Sequence, residues 1–165
     1  MNIKKITFMA LLTTIALVIF TIEAQIPNPF YLSGIKLGLA NIVTVYAMFA
    51  LGPMPTLMIL VSRIFLGSLL SGQVMTLLYS AAGGFLCYLS MLIMRKIVNE
   101  RQIWVCSIVG SICHNIGQIT VAILITRTPR LLIYLPILLV SGIVAGIFTG
   151  LCAQYIVHRL PPKQF

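Results

Sequence analysis

Residues 131–157 read LLIYLPILLVSGIVAGIFTGLCAQYIV, with no acidic or basic side chain between Arg130 and His158. A helix rises about 1.5 Å per residue, so roughly 20 apolar residues cross the ~30 Å hydrocarbon core of a bilayer. This run is longer than that. Pro136 falls in its early part, where the missing backbone hydrogen bond does least harm. Gly142, Gly146 and Gly150 recur at a spacing of four. They form a stripe on one helix face that lets another helix come close, either inside a bundle or as the docking face of a partner.

Working outward from this run, five more apolar stretches appear. One covers about residues 6–26, with Lys4 and Lys5 before its apolar part from Ile6 to Ile22. The residues after it offer no clean small-x-small cleavage site, so it is expected to be a retained helix and not a signal peptide. A short second stretch, Leu37 to Leu51, ends at the breakers Gly52-Pro53-Met54-Pro55. The third is expected over 56–70, the fourth over 74–94 with Arg95-Lys96 as its stop, and the fifth over 104–125, beginning at Trp104 where an interfacial aromatic belongs. With 131–157 this makes six spans in one membrane domain covering 1–165.

The chain of 165 residues is 60% hydrophobic and only 8% charged, with a mean hydropathy of +1.10. A soluble domain has about a quarter of its residues charged, so the composition points to an all-α integral membrane protein surrounded by lipid. The net charge of +9 does not argue for nucleic acid, because the basic residues mostly flank apolar runs and orient a membrane protein. Six spans put both termini on one side. If that side is cytoplasmic, it carries Lys4, Lys5, Arg95, Lys96, Arg101, Arg159 and Lys163. The outer side carries Lys36, Arg127 and Arg130.

Glu23 and Glu100 are the only acidic residues, and there is no aspartate. Paired-carboxylate catalysis and aspartate-held magnesium are therefore not expected. No Ser-His-Asp set is available. The Gly83-Gly84 pair lacks the Lys-Ser/Thr of a phosphate loop, and Cys113 and His114 are helix neighbours that do not face each other. Cys87, Cys106, Cys113 and Cys152 lie in apolar runs without zinc or redox spacing. The expectation is a protein that is not an enzyme and carries no cofactor or metal.

Polar groups inside a membrane are costly and mark candidate sites. Read with the helix directions above, Glu23, Lys36, Asn41, Arg63, Ser68, Gln73, His114 and Gln118 gather in the middle and outer half of the bundle. His114 and Gln118 are four apart and share a face, with Asn115 about 100° round the helix. Arg63, Lys36 and the amides would favour an anion or a carbonyl-rich ring. Arg63 pairing with Glu23, and Asn41 or His114 acting only as interhelical hydrogen-bonders, are the simpler alternatives. The segment from Gln25 to Gly34, with Pro27, Pro29, Phe30 and Tyr31, reads as an ordered loop or lid, or else as an interfacial connector.

Three blocks carry a resemblance over nearly the whole chain. They are Ile26-Pro27-Asn28-Pro29 with Gly34-Ile35-Lys36-Leu37-Gly38-Leu39-Ala40-Asn41; Arg63-Ile64-Phe65-Leu66-Gly67 with Ser71-Gly72; and His114-Asn115-Ile116-Gly117-Gln118 with Tyr134-Leu135-Pro136 and Ser141-Gly142. In this order they resemble the Gx transporter family, also labelled heptaprenyl diphosphate synthase component I. That family is similar to the substrate-binding S components of energy-coupling factor (ECF) transporters.

The resemblance implies a compact six-helix bundle that binds a small-molecule solute near the outer face. It also implies partners: a membrane coupling subunit and two cytoplasmic ATPases. S components present small residues of the first helix to the coupling subunit, and the nearest match here is Ala10 and Thr14. Prenyl diphosphate synthases share aspartate-rich magnesium motifs that this chain lacks, so the synthase label would at most describe a membrane accessory. By analogy the ligand is a flavin, a quinone precursor or a prenyl phosphate. Two alternatives stand beside a solute-binding subunit. One is an accessory subunit of prenyl-quinone synthesis or flavin-based electron transfer. The other is a self-sufficient secondary transporter using Glu23 or His114.

Overall fold

The computed structural model describes residues 2–25 and 38–159. Lys36, the 26–34 part of the expected lid, Leu37 and Lys163 lie outside the described residues. Six α-helices follow one another: α1 (Ile3–Gln25), α2 (Asn41–Ala50), α3 (Pro53–Ser71), α4 (Val74–Met94), α5 (Ile103–Thr126) and α6 (Leu135–Arg159). Short 3-10 turns, Glu100–Gln102 and Pro129–Tyr134, lead into α5 and α6. The α4 helix has the bounds expected from sequence. The turn at Gly72 and extended Gln73 starts it, and the charged pair at Arg95 ends it. The α3 helix begins earlier than Thr56, because Pro53 and Pro55 sit in its first turn, where a missing N–H has no partner to lose.

The second span requires correction. Among the described residues, five helical segments are long and apolar enough to cross a membrane, namely α1, α3, α4, α5 and Pro129–Arg159, whereas Asn41–Ala50 is only ten residues. At about 1.5 Å per residue it covers about 15 Å, half the hydrocarbon core. Eight of its ten residues are buried, among them Val45, Ala47 and Met48 with no exposure. Its apolar character on all sides comes from burial in protein and not from contact with lipid.

The half-length helix has a definite place. Its C-terminal turn lies at the end of the bundle marked by Arg95: the Tyr88 hydroxyl donates to the Pro53 carbonyl at 3.2 Å, and Gly52 lies close to the Arg95 guanidinium. Positive φ at Gly52 (91°) turns the chain from α2 into α3. The core at this end joins Met9 and Leu12 of α1, Met48 of α2, Met91 of α4, Cys106 of α5 and Val157 of α6. Both described ends of the chain therefore lie at the same end as Lys4, Lys5, Arg95, Lys96, Arg101 and Arg159. A smaller core of Tyr79, Ile119, Ala122 and Leu138 lies toward the other end.

The antiparallel pair α5–α6 is the tightest contact. The face with Gly142, Gly146 and Gly150 lies against Asn115, the Ile108 backbone and the Trp104 backbone, respectively. Of the two roles expected for the stripe, packing inside the bundle is the one seen: it is taken up by α5 of the same chain and is not open to a partner. Beside it, the buried Ser107 and Thr149 hydroxyls hydrogen-bond at 3.0 Å. Interhelical bonds of this kind contribute on the order of 1 kcal/mol in a membrane. Ser107→Ala is therefore expected to lower stability by about that amount, measurable as a small shift of the midpoint in denaturation by sodium dodecyl sulfate.

Candidate functional site

Stopping α2 at mid-depth places its first residue, Asn41, among side chains from four other helices. Glu23 comes from α1, Arg63 from the middle of α3, Ser80 from α4, and His114 and Gln118 from α5. Phe20, Glu23, Gly38, Ala40, Arg63, Ile64, Ser80, His114 and Gln118 line a cavity of about 20 Å³. That is room for about one water. Glu23, Asn41, Arg63, His114 and Gln118 are all at most 6% exposed, so the ionisable groups sit in the protein interior and not against lipid.

The contacts within the site are specific. Glu23 Oε1 accepts from the Gly38 N–H at 2.6 Å. Both Arg63 Nη atoms reach Asn41 Oδ1, each at 3.4 Å. These are long bonds at the edge of useful geometry, for a guanidinium with five donors. The charges of Glu23 and Arg63 attract each other across the cavity. Asn41 Nδ2 and Gln118 Oε1 are buried and have no hydrogen-bond partner among the described residues. An unsatisfied buried amide atom costs about 1–3 kcal/mol, and of these two residues Gln118 lines the cavity, with Asn41 beside it on Arg63. The N-terminal end of α2 brings the positive end of its dipole to the site, while the N–H groups of Asn41, Ile42 and Val43 donate to the Gly38, Leu39 and Ala40 carbonyls.

Close helix contacts create this geometry. Gly117 of α5 lies against the α4 backbone at Ala82 and Gly83, and Gly83 leaves the space filled by His114 and Gln118. The turn-spaced pair His114 and Gln118 points into the cavity together. Asn115 does not. It donates from Nδ2 to the Leu138 carbonyl at 2.5 Å and tethers α5 to α6. Ser68 bonds back to Phe65 within α3 and Gln73 is exposed, so neither lines the cavity. Asn41 lies deeper than a full second span would have put it. Ala10 and Thr14 lie on the exposed face of α1, joined by the Thr14 hydroxyl donating to the Ala10 carbonyl at 3.0 Å.

Four contributors are hard to find by residue type. The Gly38 N–H is a backbone group, Phe20 and Ile64 are ordinary apolar residues, and Ser80 is one hydroxyl in an apolar helix. Only Ser80 has a sequence signal, as a polar residue on the same face as Gly83 and Gly84. Among the described residues, no three His, Cys, Asp or Glu side chains come together to hold a metal ion. Cys87 and Cys106 are buried free thiols, and Cys113 and Cys152 are half-buried.

Long apolar helices around a buried polar site define a multi-pass helical membrane protein. Residues 12–156 match the family model for heptaprenyl diphosphate synthase component I. The chain belongs to that family, in agreement with the resemblance carried by its motifs. No curated protein and no solved structure matches the chain.

Proposed function

We propose that the chain is a solute-binding membrane subunit, similar to an ECF S component. It would hold the anionic or carbonyl-rich part of a small molecule among Asn41, Arg63, His114 and Gln118. The observation that carries this reading is the buried Arg63, held by two long bonds to Asn41 beside amide atoms that have no partner. Such groups are expensive in a membrane and are retained where they bind something. Glu23 offsets the charge of Arg63 within the site. A flavin, quinone precursor or prenyl phosphate is the ligand class, and the role is non-catalytic.

The basic end of the bundle faces the cytoplasm of a bacterial cell membrane under the positive-inside rule. This orients the cavity toward the outer half. The exposed face of α1 with Ala10 and Thr14 is then free to meet a membrane coupling subunit, itself bound to two cytoplasmic ATPases. The family's description favours a second reading, a membrane accessory of prenyl-quinone synthesis or flavin-based electron transfer. Without aspartate, the chain would support such an enzyme and not supply its magnesium site.

The test is native mass spectrometry of the protein purified from membranes with no ligand added. A co-purified phosphate-bearing or ring-containing small molecule is expected. An empty protein that brings down a synthase or redox enzyme would replace the first reading with the second.

A further inference from the structure

We infer that the site takes an amphiphile from within the bilayer, its anionic head at Arg63 and its hydrocarbon tail in the groove between α3 and α4. This rests on the solute-binding reading and names the class of solute. The groove has a volume of about 340 Å³ and is walled by apolar side chains, including Leu57, Val61 and Phe65 of α3 and Ala81 and Phe85 of α4. Ile64 lines both this groove and the polar cavity. On α4, Ser80 faces the cavity and its neighbour Ala81 faces the groove. The next pair repeats the division: Gly83 lies against His114 and Gln118, whereas Gly84 lies against the Ile64 and Leu60 side chains. The partition between polar and apolar space is therefore little more than one half-buried isoleucine side chain, and its rotation joins the two.

The groove alone would not select a guest, because lipid tails are as apolar as the leucines that line it. Selection comes from the head. Arg63 sits at the middle of α3, far from the headgroup region where an ordinary phospholipid keeps its charge. A phospholipid filling the groove would leave Arg63 with only its long bonds to Asn41, and Asn41 Nδ2 and Gln118 Oε1 unanswered. A single-chain amphiphile with its head drawn to mid-depth answers them. From Leu57 to Phe65 the groove follows about 12 Å of helix at 1.5 Å per residue, enough for a medium-length tail. The Glu23 carboxylate accepts from the Gly38 N–H and lies in the field of Arg63, so the incoming head competes with it.

The probe is dodecyl phosphate carrying a tail diazirine, photolysed with the protein in phosphatidylcholine nanodiscs and mapped by peptide mass spectrometry. Label on the α3 and α4 groove residues is expected to exceed that on the lipid-facing residues of α6 at least tenfold. It should fall at least tenfold in Arg63→Gln, partly return in Arg63→Lys, and rise in Glu23→Gln. Ala81→Phe, which fills the groove without touching the cavity, should move the label away. Circular dichroism checks that each variant is folded. The same probe with an alcohol in place of the phosphate should label without preference. Equal groove labelling by both probes, or labelling indifferent to Arg63, means ordinary bilayer lipid fills the groove and overturns the inference. If inorganic phosphate binds in an Arg63-dependent way while the probe labels no groove residue, the inference falls and the solute-binding reading stands. If neither depends on Arg63, both fall.

Discussion

Gly146→Leu is expected to prevent assembly of the bundle. A Cβ at Gly146 would lie 2.7 Å from Ile108 Cα and 3.1 Å from both Ile108 N and Ser107 O. These neighbours are backbone atoms of the second turn of α5 and cannot rotate aside as a side-chain end would. Even Gly146→Ala must push α5 and α6 apart, a change that costs about 1–3 kcal/mol when a well-packed contact is overfilled. Leucine adds three more carbons in the same place and separates Ser107 from Thr149 as well. Against a net stability of roughly 5–15 kcal/mol, this is enough to leave little folded protein. The measurement is the monodisperse fraction in mild detergent, with the midpoint of denaturation by sodium dodecyl sulfate for whatever survives. Gly72→Ala is the control. Its Cβ meets nothing within 4 Å, so the positive φ of 63° is its only penalty, about 1 kcal/mol. Comparable losses for the two would show that the α5–α6 contact is not as close as described.

Arg63→Ala has the second large effect, on binding. It removes the buried guanidinium of the cavity and, with it, the donors that reach Asn41 Oδ1. Hydrogen bonds to a charged group are worth about 1.5–3 kcal/mol, so affinity for inorganic phosphate or for a co-purified anion is expected to drop about 10- to 100-fold. Arg63→Lys should keep the charge but lose the two-pronged reach toward Asn41, and fall between the two. Isothermal titration in detergent gives the affinities, and circular dichroism establishes that the helices remain. Unchanged affinity in Arg63→Ala would remove this arginine from the site. Asn115→Ala should instead lower stability with little change in affinity, because its amide is tied to Leu138 of α6.

How much of this was legible from the residues depends on what each signal measures. The α4 bounds were readable because the Gly72 turn and Arg95-Lys96 frame them with backbone conformation and charge. The length of α2 was not. Hydropathy reports that a segment avoids water, and residues 41–50 do so equally well inside protein as they would in lipid. The pair His114 and Gln118 was readable because a spacing of four fixes a shared face. The side Asn115 takes, one step round the helix, depends on where α6 lies, which no local pattern states. Arg63 was readable as a charge within an apolar run. Its partner Asn41 was less so, since the α2 terminus moved with the correction to that helix. The glycine stripe was readable as a close-contact face, but its occupant required the fold.

The short α2 also bears on how the protein is made. A segment of ten residues is too brief to be handed to the bilayer as an independent span during synthesis. It packs against helices on both sides of it in the chain, including α6, the last helical element. Its shelter is therefore incomplete until the chain has been translated through residue 159. Insertion of this protein is thus two events: the long helices enter as they emerge, and α2 is drawn in afterwards by helices that did not exist when it was made.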